Sequence, residues 1–166
     1  MRSTSAMIVG ACLLAGCSPS EVHLLPAGTK GDVFILPGYR QGVPARREGF
    51  AIVFSIPPER ILVTQDLPSA GWHMTHYYYV DAAGKRQSLD IEPSSVHDTP
   101  ENRADQRPIV YGERNGEISA DALPCPIRFV RYYVGTRAEL LSRTVPEWNA
   151  DELRLEQFVK EHHICP

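Results

Sequence analysis

The sequence predicts a mainly β (α+β) fold: an antiparallel β-sandwich or partial barrel with a C-terminal α-helix. Short apolar runs rich in Val, Ile, Phe and Tyr recur along the chain, punctuated by 14 Pro and 12 Gly in the manner of strands and turns. Helical periodicity appears only in the tail, and there is neither βαβ alternation nor an internal repeat. The 166 residues, 43% apolar and 22% charged with a net charge of −3, describe one ordinary domain. That balance argues against wholesale disorder, a collagen-like chain and a nucleic-acid-binding protein.

Each element follows from local chemistry. Val22-His23-Leu24-Leu25 and Asp32-Val33-Phe34-Ile35-Leu36 read as strands, separated by a turn at Pro26-Ala27-Gly28-Thr29-Lys30-Gly31. Phe50-Ala51-Ile52-Val53-Phe54-Ser55-Ile56 is a strand stopped by Pro57-Pro58, and Arg60-Ile61-Leu62-Val63-Thr64-Gln65 is another. His76-Tyr77-Tyr78-Tyr79-Val80 and Lys85-Arg86-Gln87-Ser88-Leu89-Asp90-Ile91 flank a Gly84 loop and predict a hairpin. The segment 92–107 has two Pro, many charges and Val96 as its one sizeable aliphatic residue, which predicts a mobile loop outside the core. Pro108-Ile109-Val110-Tyr111 is a short strand ended by Gly112, and Ile127-Arg128-Phe129-Val130-Arg131-Tyr132-Tyr133-Val134 is a longer one ended by Gly135. A short helical turn fits 139–142. In the tail, Asn149 followed by Glu152 forms a capping-box pattern, and the apolar spacing beyond it predicts a helix over about 150–163 that packs on the sheet.

The start of the chain carries an address. Arg2 precedes an apolar run of about a dozen residues and then small residues, the build of a secretory signal peptide and too short to span a bilayer. The residues Leu14-Ala15-Gly16-Cys17 resemble the lipobox of bacterial lipoproteins. The resemblance implies removal of residues 1–16 and a diacylglycerol thioether on Cys17, with residues 17–20 a lipidated N-terminus and short tether and 21–166 a single β-rich domain. A plain signal peptide with an incidental cysteine is the competing reading. Several acyl chains, each buried methylene contributing about 0.8 kcal/mol, would anchor the protein almost irreversibly. Ser18 follows Cys17 where Asp is the familiar inner-membrane retention signal, so the outer membrane, facing the periplasm, is favoured for a Gram-negative source. Removal of 1–16 takes away one basic side chain and leaves a net charge of −4, with no basic patch for nucleic acid.

Cys12 leaves with the signal and Cys17 is acylated, so Cys125 and Cys165 remain as a pair in an oxidising compartment, and a disulfide is the expectation. Closing a loop of 40 residues, it contributes about 3–4 kcal/mol by the chain-entropy estimate. Two free thiols are the alternative, although neither cysteine lies in a Cys-x-x-Cys motif.

The run Leu24-Leu25-Pro26-x-Gly28-x-x-Gly31-x-Val33-x-Ile35 resembles the opening of an uncharacterised domain family of exported bacterial proteins and lipoproteins. Ile56-Pro57 with Ile61-Leu62-Val63-Thr64-Gln65, Tyr78-Tyr79-Val80-Asp81 with Gly84, and Phe129 with Val134-Gly135-Thr136 fit the same pattern. The resemblance implies a β-rich envelope domain and carries over no catalytic residue.

Sites of chemistry are sparse. His73 and His76 are three apart on a strand and point to opposite faces, while His162 and His163 need a third ligand from His23 or His97. No cofactor and no metal are therefore expected. Asp66, Ser69 and His73, or Ser94, Ser95, His97 and Asp98, are close in sequence without a nucleophile-elbow motif, and Asp90 with Glu92 reads as a solvated edge. The aromatic residues Trp72, Tyr77, Tyr78, Tyr79, Tyr132 and Tyr133 are more distinctive. Outward-facing Trp72, Tyr78 and Tyr133 could form a binding surface for a glycan or an envelope protein, against ordinary strand aromatics as the plainer reading. The expectation is a lipid-anchored cell-envelope protein of non-catalytic, binding or assembly function, bound to the membrane through Cys17. An envelope hydrolase or carbohydrate-binding protein, with its site in the segment 92–107, is the alternative.

Overall fold

The computed structural model describes residues 20–68, 74–92, 95–119, 123 and 125–165. The signal segment, Cys17, Ser69, Trp72, His73 and Ser94 lie outside the described residues.

Among the described residues, ten strands form two five-stranded sheets. The strands are β1 (Glu21–Pro26), β2 (Gly31–Leu36), β3 (Arg46–Glu48), β4 (Ala51–Ser55), β5 (Ile61–Val63), β6 (Thr75–Val80), β7 (Arg86–Ser88), β8 (Asp90–Glu92), β9 (Ile109–Ile118) and β10 (Ile127–Gly135). The described residues also form three helices: α1 (Pro100–Ala104), α2 (Arg137–Ser142) and α3 (Val145–Glu161). One sheet runs β3-β4-β1-β6-β7 and the other β5-β2-β10-β9-β8. The sandwich is thus as expected and no barrel closes, but the sheets are mixed rather than purely antiparallel. β1 is parallel to both β4 and β6, and β2 is parallel to β5.

The mixture follows from the first turn. Thr29 N–H donates to the Pro26 carbonyl at 3.1 Å, and Gly28 takes φ +80°, the left-handed value that the third position of a type II turn requires. Instead of closing a hairpin, this turn carries the chain from one sheet to the other, so β1 and β2 find their partners far along the sequence.

The main core lies between the sheets, where Leu25, Ile52, Phe54 and Tyr77 meet Val33, Ile35, Val130, Tyr132 and Val134. The alternating residues of β2 and β10, Phe34, Leu36, Ile127 and Phe129, face the other way and pack under Leu155, Val159 and Ile164. The second sheet is therefore covered on both faces, which explains why β2 reads as an unbroken apolar run. A disulfide joins Cys125 to Cys165, with Cα atoms 6.0 Å apart, and fixes the chain after α3 beside the start of β10.

Three expectations are corrected. α3 begins at Val145 rather than near 150, because Thr144 and Glu147 make the capping contacts: the Glu147 carboxylate accepts from the Thr144 N–H at 2.7 Å and from its hydroxyl at 2.8 Å, ahead of the Asn149 pattern. The segment 92–107 is not a bare loop. Thr99 caps α1 by accepting from Asn102 N–H at 3.2 Å, and Val96 packs against Ile109, Tyr133 and Leu140. Finally, Gly112 does not end its strand. It adopts φ +67° where the β9–β10 register shifts opposite the Arg131–Tyr133 stretch, a bulge that bends the ladder and lets it continue to Ile118.

Candidate functional site

β10 sends neighbouring side chains to opposite faces, and each enters a polar centre. Tyr132 points into the sandwich and is fully buried. Its hydroxyl is hydrogen-bonded to His23 Nδ1 at 3.1 Å. His23, on β1, is 1% exposed; its ring meets Tyr77 edge-on at 4.8 Å and Phe54 at 5.3 Å. His23 Nε2 is buried without a hydrogen-bond partner among the described residues and lies 3.6 Å from the Glu21 carboxylate. The Gly112 bulge places Glu113 beside this group, where the Tyr77 hydroxyl donates to its carboxylate. Burial pushes the Tyr132 phenol well above its usual pKa, and the negative charge of Glu113 adds to the effect. A cavity of about 100 Å³ is bounded here by Glu21, His23, Phe54, Glu113 and Asn115.

Arg131 points the other way, toward α3, and is 3% exposed. It bonds the buried Asp32 carboxylate at 2.5 Å and Glu152 of α3 at 2.7 Å. Arg143 adds contacts to Asp32 at 3.1 Å and to Asp151 at 2.7 Å, and its guanidinium lies 3.7 Å from the Trp148 ring centroid. Arg154 donates to the Asp32 carbonyl at 2.9 Å and pairs with Asp151 at 3.3 Å. Burial alone would lower the Arg143 pKa; its hydrogen bond to Asp32 and the charges of Asp32 and Asp151 raise it instead. Three guanidinium groups face three carboxylates, so the centre is neutral and saturated. Its role is to clamp α3 onto the sheet, because a buried charge is tolerated only when paired.

The sequence-derived surface does not assemble from the described residues. Tyr78 is half-buried on the outer face of the first sheet, with the Arg86 guanidinium 5.9 Å from its ring centroid. Tyr133 is 5% exposed, on the second sheet against Leu140 and Trp148. The histidines are likewise separate: His162 stacks on Phe158 at 4.1 Å, His97 is exposed and His23 is interior. No three His, Cys, Asp or Glu among the described residues are grouped to hold a metal ion. Asp90 and Glu92 do not form a dyad, since Glu92 pairs with Arg137 at 2.8 Å and Asp90 lies 3.7 Å from Arg107. Ion pairs engage the segment 92–107 both within itself, with Arg103 on Asp98 at 2.6 Å, and with α2, whose Arg137 meets Asp105 at 2.5 Å.

Sequence reasoning missed both centres. Their only local signal is a single polar residue within an apolar strand, His23 in one case and Asp32, at the head of β2, in the other. The acids and bases that complete them come from distant segments.

The model of a family of unknown function, DUF6843, matches residues 18–123. No curated protein matches the chain. Among solved structures, one from Bacillus anthracis described as a "Putative Lipoprotein" superposes with a TM-score of 0.59 at 16% identity, over 86% of this chain and 94% of that one. At that identity the likeness establishes a shared fold.

Proposed function

The chain belongs to this family of unknown function, and on that premise we propose that it is a lipid-anchored cell-envelope protein whose β-sandwich serves in non-catalytic binding or assembly. The observation that carries the proposal is the spacing at the N-terminus. Leu14-Ala15-Gly16-Cys17 ends four residues before Glu21, where β1, the central strand of its sheet, begins. The fold therefore starts directly after the acylation site, with no long linker. The lipoprotein description of the Bacillus anthracis protein supports the same reading. No helix among the described residues is long and apolar enough to cross a membrane; in this reading the acyl group on Cys17 supplies the attachment. Ser18 after Cys17 favours the outer membrane if the source is Gram-negative.

A non-catalytic role is supported by the state of the charged groups, which on the helical side of the sheet neutralise one another. The hydrolase or carbohydrate-binding alternative draws on one specific observation, the convergence of His23, Glu21 and Glu113 on the interior cavity. Its volume of about 100 Å³ is a third of the roughly 300 Å³ at which ligand pockets begin, too small for a glycan.

Replacing Cys17 with Ser is expected to abolish incorporation of a palmitate analogue in the native host. Incorporation that persists in the variant overturns the anchor.

A further inference from the structure

The end of the sandwich next to the tether exposes apolar side chains, and we propose that this end is a foot that rests in the membrane interface, with Phe50 and Met74 inserted among the lipid headgroups. The inference rests on the lipid-anchor reading of Cys17.

The three central strands of the first sheet all start at one end. β4, β1 and β6 are parallel, with Glu21 in register with Ile52 on one side and Thr75 on the other. Ile52 N–H donates to the Ser20 carbonyl and Glu21 N–H to the Met74 carbonyl, both at 2.9 Å. Phe50, in the β3–β4 turn, and Met74, just before β6, therefore flank the point where the tether joins the fold. Phe50 is 87% exposed and Met74 67%, and Phe50 is the most exposed large apolar residue among those described. Leu67, also exposed, precedes Pro68, which shares the wall of the interior cavity with Glu21.

Tether length makes the bilayer the occupant. Cys17 is four residues from Glu21, and a fully extended chain spans about 3.3–3.6 Å per residue. The strand end can thus stand no more than roughly 14 Å from the Cys17 backbone, about twice the 5–8 Å that the headgroup layer adds on each side of the hydrocarbon core, so the short tether holds this end of the sheet in or just above the headgroups. Phe at that depth meets an environment that favours aromatic rings. Exposed Arg47, in register with Ile52, adds a cation at the same level, suited to anionic headgroups. Because the acyl chains already hold the domain at the surface, two apolar side chains are enough to orient it, just as a second weak contact gains from a first that tethers it.

The test uses the full-length, lipidated protein in vesicles of phosphatidylethanolamine and phosphatidylglycerol containing a phospholipid with a photoreactive diazirine near the headgroup. Peptides are mapped by mass spectrometry, which also reads the lipid on the N-terminal peptide. Crosslinks are expected at Phe50, Met74 and Leu67, with Val145 and Leu153 of α3, exposed to a similar extent, left unlabelled. In a Phe50→Ser/Met74→Ser variant of unchanged unfolding temperature, labelling at Leu67 is expected to fall about tenfold, equivalent to about 1.4 kcal/mol. A lipidated chain whose α3 residues are labelled as strongly as Phe50, or that is labelled at neither place, overturns the foot and leaves the anchor standing. An N-terminal peptide without lipid overturns the anchor reading and the foot with it.

Discussion

Arg131 and Tyr132 are adjacent in β10, yet they serve centres of opposite character. On the Arg131 side every guanidinium meets a carboxylate. On the Tyr132 side a buried histidine nitrogen has no hydrogen-bond partner among the described residues, and a small cavity adjoins it. The difference shows that burial of polar groups serves two ends within one sheet. Saturated pairing fixes a helix in place, whereas an incompletely paired group keeps a polar interior beside Glu21, at the end of the sheet where β1 begins.

Three measurements would break or sharpen this contrast. The largest effect is expected for Asp32→Ala, which leaves Arg131 and Arg143 buried around a lost carboxylate; chemical unfolding should show a loss of about 3–5 kcal/mol. A loss below that of an ordinary surface substitution would mean that the clamp is not what holds α3. A smaller effect is expected at the other centre, because a single hydrogen bond is lost there rather than the carboxylate shared by two buried guanidinium groups. Tyr132→Phe removes the partner of His23 Nδ1 and should cost about 1–3 kcal/mol, while His23→Leu combined with Tyr132→Phe should recover part of that loss, since removing both partners leaves neither orphaned. Strict additivity in that double-mutant cycle would show that the two side chains do not act as a pair.

The smallest effect is a pH dependence at the rim of the clamp. Burial pushes the Tyr133 phenol from 10.0 up to about 12, with the charge of Glu139 adding to it. The folded state thus resists losing the proton, so the stability associated with Tyr133 is complete below pH 10 and is lost as the pH rises through about 12. Unfolding measured across that window should show a shallower decline for Tyr133→Phe than for the parent chain. An identical decline would assign the alkaline loss to other groups.

Much of the architecture was legible from the residues alone, because it is written in local patterns. Apolar runs bounded by Pro and Gly mark most of the strands, Gly28 marks the first turn, and the paired cysteines are evident once export is considered. What escaped is what depends on context. The Gly112 bulge looks like a strand terminus because positive φ serves both purposes. The parallel pairing of β1 has no local signature, since a strand's own sequence does not name its neighbours. The polar centres were hidden for a related reason: Asp32 and Arg131 are 99 positions apart, and His23 and Tyr132 are 109 apart. Tyr133 illustrates the converse, an aromatic whose exposure is decided by a helix that packs beside it rather than by its strand.

The placement of β1 also governs how the chain acquires its shape. Glu21 waits for Ile52 and Thr75, and β2 waits for β10, so a polypeptide delivered from its N-terminus brings out its first two strands long before their partners arrive. Contact order of this kind makes folding slow. The first sheet, which runs from Glu21 to Ser88, is complete in about the first half of the chain, whereas the second stays open until β10 has emerged, so the two layers of the sandwich become available at different times.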